Sequence, residues 1–424
     1  MTTETRSPLV PKVRFPEFVD HGPWDAKRLD DLCDRRTETV GDSQLTPVSI
    51  SAGKGFVPQA EKFGRDISGS QYNKYIWLQR GDFAYNRGNS KRFPQGCVYQ
   101  LTEFDEAAAS NAFHCFRLHD HFAPAFVLGF FENNGHGRQL IRHITSGARS
   151  NGLLNISADT FFAITVPMPR ATAEQQKVAD CLGSLDDLIA AEGRKLEALR
   201  QHKQGLMQQL FPQPGETVPR LRFPEFHNAE GWKEEKIDEL AKRGSGHTPN
   251  KAMAEYYNGG IMWVSLADSK RLDNGLISGT AIEISEEGIC NSSAVLHPAG
   301  SVIVSRDAGV GKSAIISCPM AVSQHFMVWT CDPTTLSNWF LYHQLQLLKP
   351  LFERIATGST IKTIGLPFFK ALRITVPRLA EQQRIADCLS SLDGLLAAQV
   401  QRLEALKQHK QGLLQQLFPS PEGQ

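Results

Sequence analysis

The sequence predicts a mixed α/β (α+β) fold written twice: two mixed strand-and-helix domains in pseudo-twofold arrangement, joined by an antiparallel two-helix coiled coil. Three observations predict it. "VPKVRFPEF" at 10–18 returns as "VPRLRFPEF" at 218–226. "LEALRQHKQGLMQQLFP" at 196–212 returns as "LEALKQHKQGLLQQLFP" at 403–419, within segments 174–212 and 381–419 that align without a gap at about 28 of 39 identical positions. Between these matched ends, 33–160 and 241–370 share only scattered features, so the middles were free to diverge while the frame was kept.

Size and composition agree with two domains. A chain of 424 residues exceeds what one core usually holds. With 41% apolar and 21% charged residues it is neither disordered nor fibrous. The net charge of +1 leaves any attraction to phosphate to local patches. The N-terminus lacks an apolar signal core, and the longest greasy run, "FAPAFVLGFF", is about half a membrane span, so a cytoplasmic location is expected. Eight cysteines form no C-x-x-C pair, and Cys181 and Cys388 occupy matching places, which reads as reduced, buried thiols.

In chain order the expectation is a first variable domain at 10–165, a helix at 166–212, a second variable domain at 213–375 and a helix at 376–421. Both middles read as strands between Gly, Asn and Asp turns, from "KYIWLQRGDFAYNR" and "AFHCFRL" to "GSVIVSRDAG" and "HFMVWTC". Each then carries a helix-like stretch, 124–145 and 335–356, before the turns "TSGARSNG" and "TGSTIKTIG".

The repeated helices have a clear period. Val178, Leu182, Leu185, Ile189, Glu192, Leu196, Leu199, Lys203, Leu206 and Leu210 step by four and three, as do Ile385, Leu389, Leu392, Leu396, Gln399, Leu403, Leu406, Lys410, Leu413 and Leu417. That is a coiled-coil seam. About ten residues join the first helix to Arg222, too few to return along roughly 55 Å of helix, so antiparallel pairing is expected. The alternative is two amphipathic helices, each packed on its own domain.

Basic loops rich in Arg, Lys and Asn suit phosphate contact and base-edge hydrogen bonding. The DNA-binding candidates are Lys54, Arg87, Asn89, Lys91, Arg92, Arg149 and Asn151 in the first middle and Arg306, Lys312, Gln324 and Lys362 in the second. No catalytic or metal-binding set is expected. "DAGVGKS" resembles a phosphate loop, but Arg306 stands where that loop needs its first glycine. His114, Cys115, His119 and His121 read more simply as structural residues than as metal ligands.

"ITVPMPRATAEQQKVADCLGSLDDLI", "ITVPRLAEQQRIADCLSSLDGLL", "RGDFAYNR", "SGHTPN", "IMWVSLAD", "VSRDAGVGKSAI" and "VSQHF" together resemble the specificity subunit of type I restriction-modification systems, over essentially the whole chain. The resemblance implies two target-recognition domains, each reading one half of a split double-stranded DNA site. The helices would set the spacing, about one and a half turns of B-DNA. It implies two modification (methyltransferase) subunits docked on the repeated parts, and restriction subunits beyond them. S-adenosylmethionine, ATP and Mg would then sit on those partners, with no cofactor in this chain. Partner contacts are expected at Gln175, Gln176, Gln201, His202 and Gln204, and at Gln382, Gln383, Gln408, His409 and Gln411. One departure is three extra residues between Val166-Pro167 and the first Glu-Gln pair, which puts the symmetry of the helix starts in question. Two rivals remain: a protein-binding coiled-coil adapter, and a nucleotide-dependent nuclease.

Overall fold

The computed structural model describes residues 8–51, 53–88, 93–144, 153–359 and 361–419. The chain forms two compact units, Met1–Glu192 with Leu403–Gln424, and Gly193–Arg402. Each long helix, Thr172–Leu210 and Leu379–Leu417, therefore contributes one end to each unit. The units do not part at residues 165 and 375, because the helix ends are core components of the globular bodies.

In the first unit the strands Cys33–Arg36, His114–Leu118, Phe83–Asn86 and Cys97–Gln100 form an antiparallel sheet in that order. A second sheet orders Gly55–Pro58, Pro47–Ser51, Glu106–Ala109 and Ile76–Gln79, with the middle pair parallel. The core is aromatic: Phe83 stacks on Phe116 at 5.2 Å, and Tyr85 on Phe161 at 4.3 Å. The stretch expected as one helix from 124 is broken into Pro124–Glu132 and Gly135–Leu140. Asn134 takes a left-handed conformation at the break, and Gly135 packs so tightly on Phe130 that a Cβ would lie 2.1 Å from the ring.

The second unit repeats the first sheet's order. Ala241–Ser245, Phe326–Cys331, Val302–Ser305 and Ser313–Ile316 pair antiparallel in sequence, with Leu276–Ile277 added in parallel at the edge. A small sheet of Glu283–Ile284, Tyr257–Val264 and Ala321–Val322 stands beside it. Asn338–Ile355 is a continuous helix, as expected from 335–356. The two middles thus share a topology that their sequences do not display.

The repeated ends close each unit in the same way. In the first, Asp25–Arg28 pairs with Thr165–Met168, and in the second Lys233–Lys236 pairs with Arg373–Val376. "RFPEF" makes a tight 3-10 turn with Pro at its first position, Pro16–Phe18 and Pro224–Phe226. The arginine before it reaches a buried glutamate in the first turn of the long helix. Arg14 grips Glu174 with Nε and Nη2 at 2.7 and 2.8 Å, and the Trp24 indole donates to the same carboxylate at 3.0 Å. Arg222 grips Glu381 at 2.8 and 2.7 Å, with Trp232 donating at 3.3 Å. The carboxylates raise both arginine pKa values above the ordinary range, chiefly through these hydrogen bonds. Glu174 and Glu381 are each the third residue of their helix, and both helices run 39 residues. The three extra residues before the first pair are accommodated ahead of the helix, and the symmetry survives.

Every seam residue is buried or half-buried, while most of the residues between them are exposed. In the first unit, Val178 and Leu182 early in one helix share a core with Leu414, Leu417 and Phe418 at the end of the other. In the second, Ile385 and Leu389 share a core with Met207, Leu210 and Phe211. The helices therefore pair antiparallel in both units, and their ends also pack on the sheets' helices. Both expected arrangements hold at once. The lysines that interrupt the apolar seam meet acids on the facing helix: Lys410 with Asp186 at 2.6 Å in the first unit, Lys203 with Asp393 in the second. Burial disfavours the Lys410 ammonium, but Glu132 and Asp186 outweigh it and raise its pKa.

Cys181 and Cys388 are free and half-buried rather than buried, because their helix face meets solvent on one side. Burial pushes the Cys33 and Cys331 thiols up to about 12 and that of Cys97 to about 11. No helix among the described residues is long and apolar enough to cross a membrane.

Glu174→Ala and Glu381→Ala each strand a buried guanidinium, and a loss of about 3–5 kcal/mol in the affected unit is expected. Chemical unfolding followed by Trp24 or Trp232 fluorescence checks it. Burial also holds the His136 pKa near 4, below the ordinary 6.5. The unfolded chain takes up a proton that the folded chain refuses, so stability present above pH 6.5 is lost as the pH falls towards 4. His136→Gln should remove about 2–3 kcal/mol of that pH dependence, read from unfolding midpoints at pH 7 and 4.5.

Candidate nucleic-acid interface

In the second unit all four expected DNA-binding residues collect at one end of the five-stranded sheet. Ser245 lies opposite Met327 and Ser305 opposite Phe326, so the chain after Ser245, the chain before Phe326 and the loop after Ser305 emerge together. Bridges from Thr363 to Asp307 and Thr357 bring Thr357 and 361–363 to the same end. Gln324 and Lys362 are exposed.

Arg306 and Lys312 brace this end instead of standing free. Arg306 donates through Nε to the Ile364 carbonyl at 3.2 Å, and its own carbonyl accepts from the Ile364 amide at 3.0 Å. Lys312 donates to the Ser269 carbonyl at 2.9 Å and hydroxyl at 3.1 Å. A groove of about 440 Å³ beside them is lined by Gly309, Lys312, Lys349, Glu353, Ile361 and Lys362 among others. Lys312 and Lys362 face Glu353 there, while Lys349 is paired with Asp273 at 2.7 Å, a small excess of positive charge of the kind that attracts an anion.

The "DAGVGKS" segment joins two antiparallel strands, Val302–Ser305 and Ser313–Ile316, where a nucleotide loop would lead from a strand into a helix. Gly309 and Gly311 hold φ of 104° and 82°, which only glycine adopts readily, and Ala308 is held at 36°. A strained non-glycine residue in a braced exposed loop is typical of a functional turn. Opposite it, Gly246 passes so close to the neighbouring strand that a Cβ would lie 1.8 Å from the Val322 carbonyl oxygen. That glycine lets residues 247–249 reach the loop cluster.

Sequence reasoning missed three residues here. Asp307 accepts from His325 Nδ1 at 2.7 Å, and the Thr248 hydroxyl meets Gln324 Oε1. The signal was present in "GHTPN" and "VSQHF", but the pairings join positions 18 and 76 residues apart.

In the first unit Lys54 is exposed in the turn between Pro47–Ser51 and Gly55–Pro58. Arg87, placed like Arg306 just beyond its strand, is half-buried and donates to the carbonyls of Ala112 at 2.9 Å and Ile156 at 3.2 Å. These bonds stitch the returning segment onto the sheet. Asp82 is fully buried between Arg36 and Arg117 at 3.2 and 2.7 Å. Asn89, Lys91, Arg92, Arg149 and Asn151 lie outside the described residues. His114 bonds the Ile156 carbonyl at 3.1 Å, and no metal-holding cluster is found among the described residues.

The expected partner residues divide into two sets. Gln175 and Gln382 are buried and donate to the carbonyls of Pro169 and Pro377, so they tie the helix starts to the chain before them instead of facing outward to a partner. Gln176, Gln201, His202, Gln204, Gln383, Gln408, His409 and Gln411 are exposed.

Residues 229–408 match the family described as the type I restriction modification DNA specificity domain. This part of the chain is similar to that specificity family. The chain is similar to the type I restriction enzyme MjaIX specificity subunit of Methanocaldococcus jannaschii, 26% identical over 42% of this chain and 41% of that protein. It is also similar to the EcoR124I/EcoR124II specificity subunit of Escherichia coli, 31% identical over 38% of this chain and 40% of that one. The match thus spans about two fifths of these curated relatives' length. The S subunit of a type I restriction-modification system from M. genitalium shares the fold, with a TM-score of 0.58 at 14% identity over 97% of this chain and 99% of that one. So does a chain from the assembly and conformational transition of a type I R-M system, with a TM-score of 0.59 at 19% identity over 94% and 98%. The loop end of the second unit lies within the matched residues 229–408.

Arg87→Ala is expected to lower stability by about 1.5–3 kcal/mol, the usual worth of hydrogen bonds from a charged donor. Lys362→Ala, at an exposed position, should change it by less than about 0.5 kcal/mol. Thermal melting of the two variants checks the contrast.

Proposed function

We propose that this chain is the non-catalytic DNA-specificity subunit of a type I restriction-modification complex, each unit reading one half of a bipartite, asymmetric site. One observation carries the reading. A single frame, the same four-strand sheet closed by the same Arg–Glu–Trp latch, appears twice and bears different loops each time. Two copies of one reader with unlike loops suit an asymmetric sequence.

The loop ends supply what such reading needs. Lys362 and Lys54 offer exposed charge for phosphates, while Gln324 offers a side-chain amide of the kind that pairs with base edges. The long helices, about 58 Å at 1.5 Å per residue, would set the half-site spacing. Reciprocal Lys–Asp pairs fix the register on which that spacing depends.

Partner recruitment is supported by apolar exposure that repeats with the frame. Val10 and Val218 are 50% and 51% exposed, Val13 and Leu221 44% and 42%, and Leu188 and Leu395 also stand in solvent. Apolar side chains left out at equivalent places twice suit two copies of one partner, here the modification subunits. Catalysis, with S-adenosylmethionine, ATP and Mg, would belong to modification and restriction subunits, and the complex would act in the cytoplasm.

Two experiments test the reading. Selection of duplexes from a randomised pool with the full chain should return a two-part motif with a fixed gap; a chain that enriches no sequence would defeat the proposal. Inserting seven residues at equivalent points of both helices, two turns of each, should lengthen the preferred gap with both half-motifs unchanged. An unaltered gap would remove the helices as the spacing element.

A further inference from the structure

At the loop end of the second unit, three of the basic side chains are consumed inside the fold, while Gln324 stands exposed beside the half-buried His325. Arg306 and Lys312 spend donors on the carbonyls of Ile364 and Ser269, and Lys349 pairs with Asp273 at 2.7 Å. Gln324 and His325, adjacent at the mouth of the sheet, are instead held by one atom each. The Thr248 hydroxyl meets Gln324 Oε1, leaving the amide nitrogen for an outside partner. Asp307 takes His325 Nδ1 at 2.7 Å, which fixes the ring and leaves Nε2.

The support behind these residues is rigid. The Arg306 amide donates to the His325 carbonyl at 2.9 Å, and the Ser305 hydroxyl donates to the Asp307 carbonyl at 2.5 Å. The His247 amide donates to the Val322 carbonyl at 3.0 Å, tying the segment that carries Thr248 to the strand before Ser323. Asp307 is buried, and its Oδ1 finds no hydrogen-bond partner. A carboxylate kept in such a place, with the imidazole as its side-chain partner, is retained against its desolvation cost, which is the mark of a positioned functional group.

We propose that Gln324 and His325 read base edges in one half of the DNA site, with Thr248 and Asp307 as positioning residues that fix which atoms they present. The inference rests on the specificity-subunit reading and names the readers within it. A glutamine amide and a fixed imidazole nitrogen offer paired hydrogen-bonding groups of the kind that discriminate purine edges in the major groove. Lys362, exposed nearby, would meet phosphate and carry no sequence information.

The test is duplex selection from a randomised pool by the full chain, comparing wild type with Gln324→Ala, His325→Ala, Asp307→Asn and Lys362→Ala. Gln324→Ala and His325→Ala should each relax preference at one or two base pairs of a single half-motif, by about tenfold, and leave the other half intact. Asp307→Asn should relax the same base pairs as His325→Ala, an effect that a merely structural role would not confine to those positions. Lys362→Ala should weaken binding to every duplex alike. Gln324 is exposed, so its variant keeps the fold, and melting temperature checks that. A two-part motif unchanged in Gln324→Ala and His325→Ala overturns this assignment alone. A wild-type chain that enriches nothing overturns the specificity reading and the assignment with it.

Discussion

Each unit is closed by a buried arginine–glutamate pair with a tryptophan indole on the same carboxylate, and the rest of the architecture depends on that closure. Arg14 and Glu174 are separated by 160 residues, Arg222 and Glu381 by 159. Such a pair adds little net stability compared with apolar packing, because both charges must be desolvated. What it supplies is specificity: a guanidinium fork fits one carboxylate in one orientation, and a misplaced partner would leave a charge buried alone. The latch therefore fixes where "RFPEF" sits on the first helical turn, and with it the angle at which the helix leaves the sheet. Everything between the latch residues can then change without moving the frame. This is the physical reason the ends of the two units are nearly identical while the middles are not.

The helices apply the same logic along their length. Their seams are apolar enough to pair, but leucines alone tolerate neighbouring registers. Lys203 and Lys410, placed at seam positions, are satisfied when they meet Asp393 and Asp186. A slip of one heptad would set Lys203 opposite Ala386 or Val400 and Lys410 opposite Ala179 or Gly193, taking two partly buried ammonium groups away from their aspartates. Polar residues at core positions of paired helices commonly sacrifice stability for register in this way. At the ends the seam widens into the globular cores, where Phe211 packs on Trp232 and Phe340, and Phe418 on Trp24 and Phe126. The helices are thus anchored by aromatic packing at their ends and registered by charge between them.

Periodicity made the helices legible, and self-similarity made the frame legible, since both signals lie within a short window of sequence. What stayed hidden depends on residues far apart. Glu174 and Gln175 are neighbours in a motif that looks polar and therefore exposed, yet both are buried, because "RFPEF" and the strand 165–168 cover that face. Arg87 looked like a DNA ligand because its loop is basic. Its guanidinium is instead held by the Ala112 and Ile156 carbonyls, the latter 69 residues away. The equivalence of Arg87 and Arg306 was invisible for a related reason: the middles do not align, and only strand pairing places both residues one step past the third strand of the shared order. Basic composition picked out residues that gather at one loop end in the second unit, but it did not distinguish the arginine that braces from the glutamine that faces out.

That distinction matters for how one frame supports different readings. A loop that both holds its own shape and contacts a ligand is difficult to change, since a new contact residue disturbs the support. Here the two tasks fall to different side chains. Arg306, Lys312 and the glycines of 309–311 shape the loop from within, and Gln324 and His325 extend from the adjoining strand end. Replacing the outward residues leaves the bracing hydrogen bonds in place, because Arg306 donates to a backbone carbonyl that every residue type provides. The same separation operates one level up, where the latch carries the frame and the loops carry the differences. A fold arranged in this way can exchange a few exposed side chains while the residues that hold each unit's frame stay as they are.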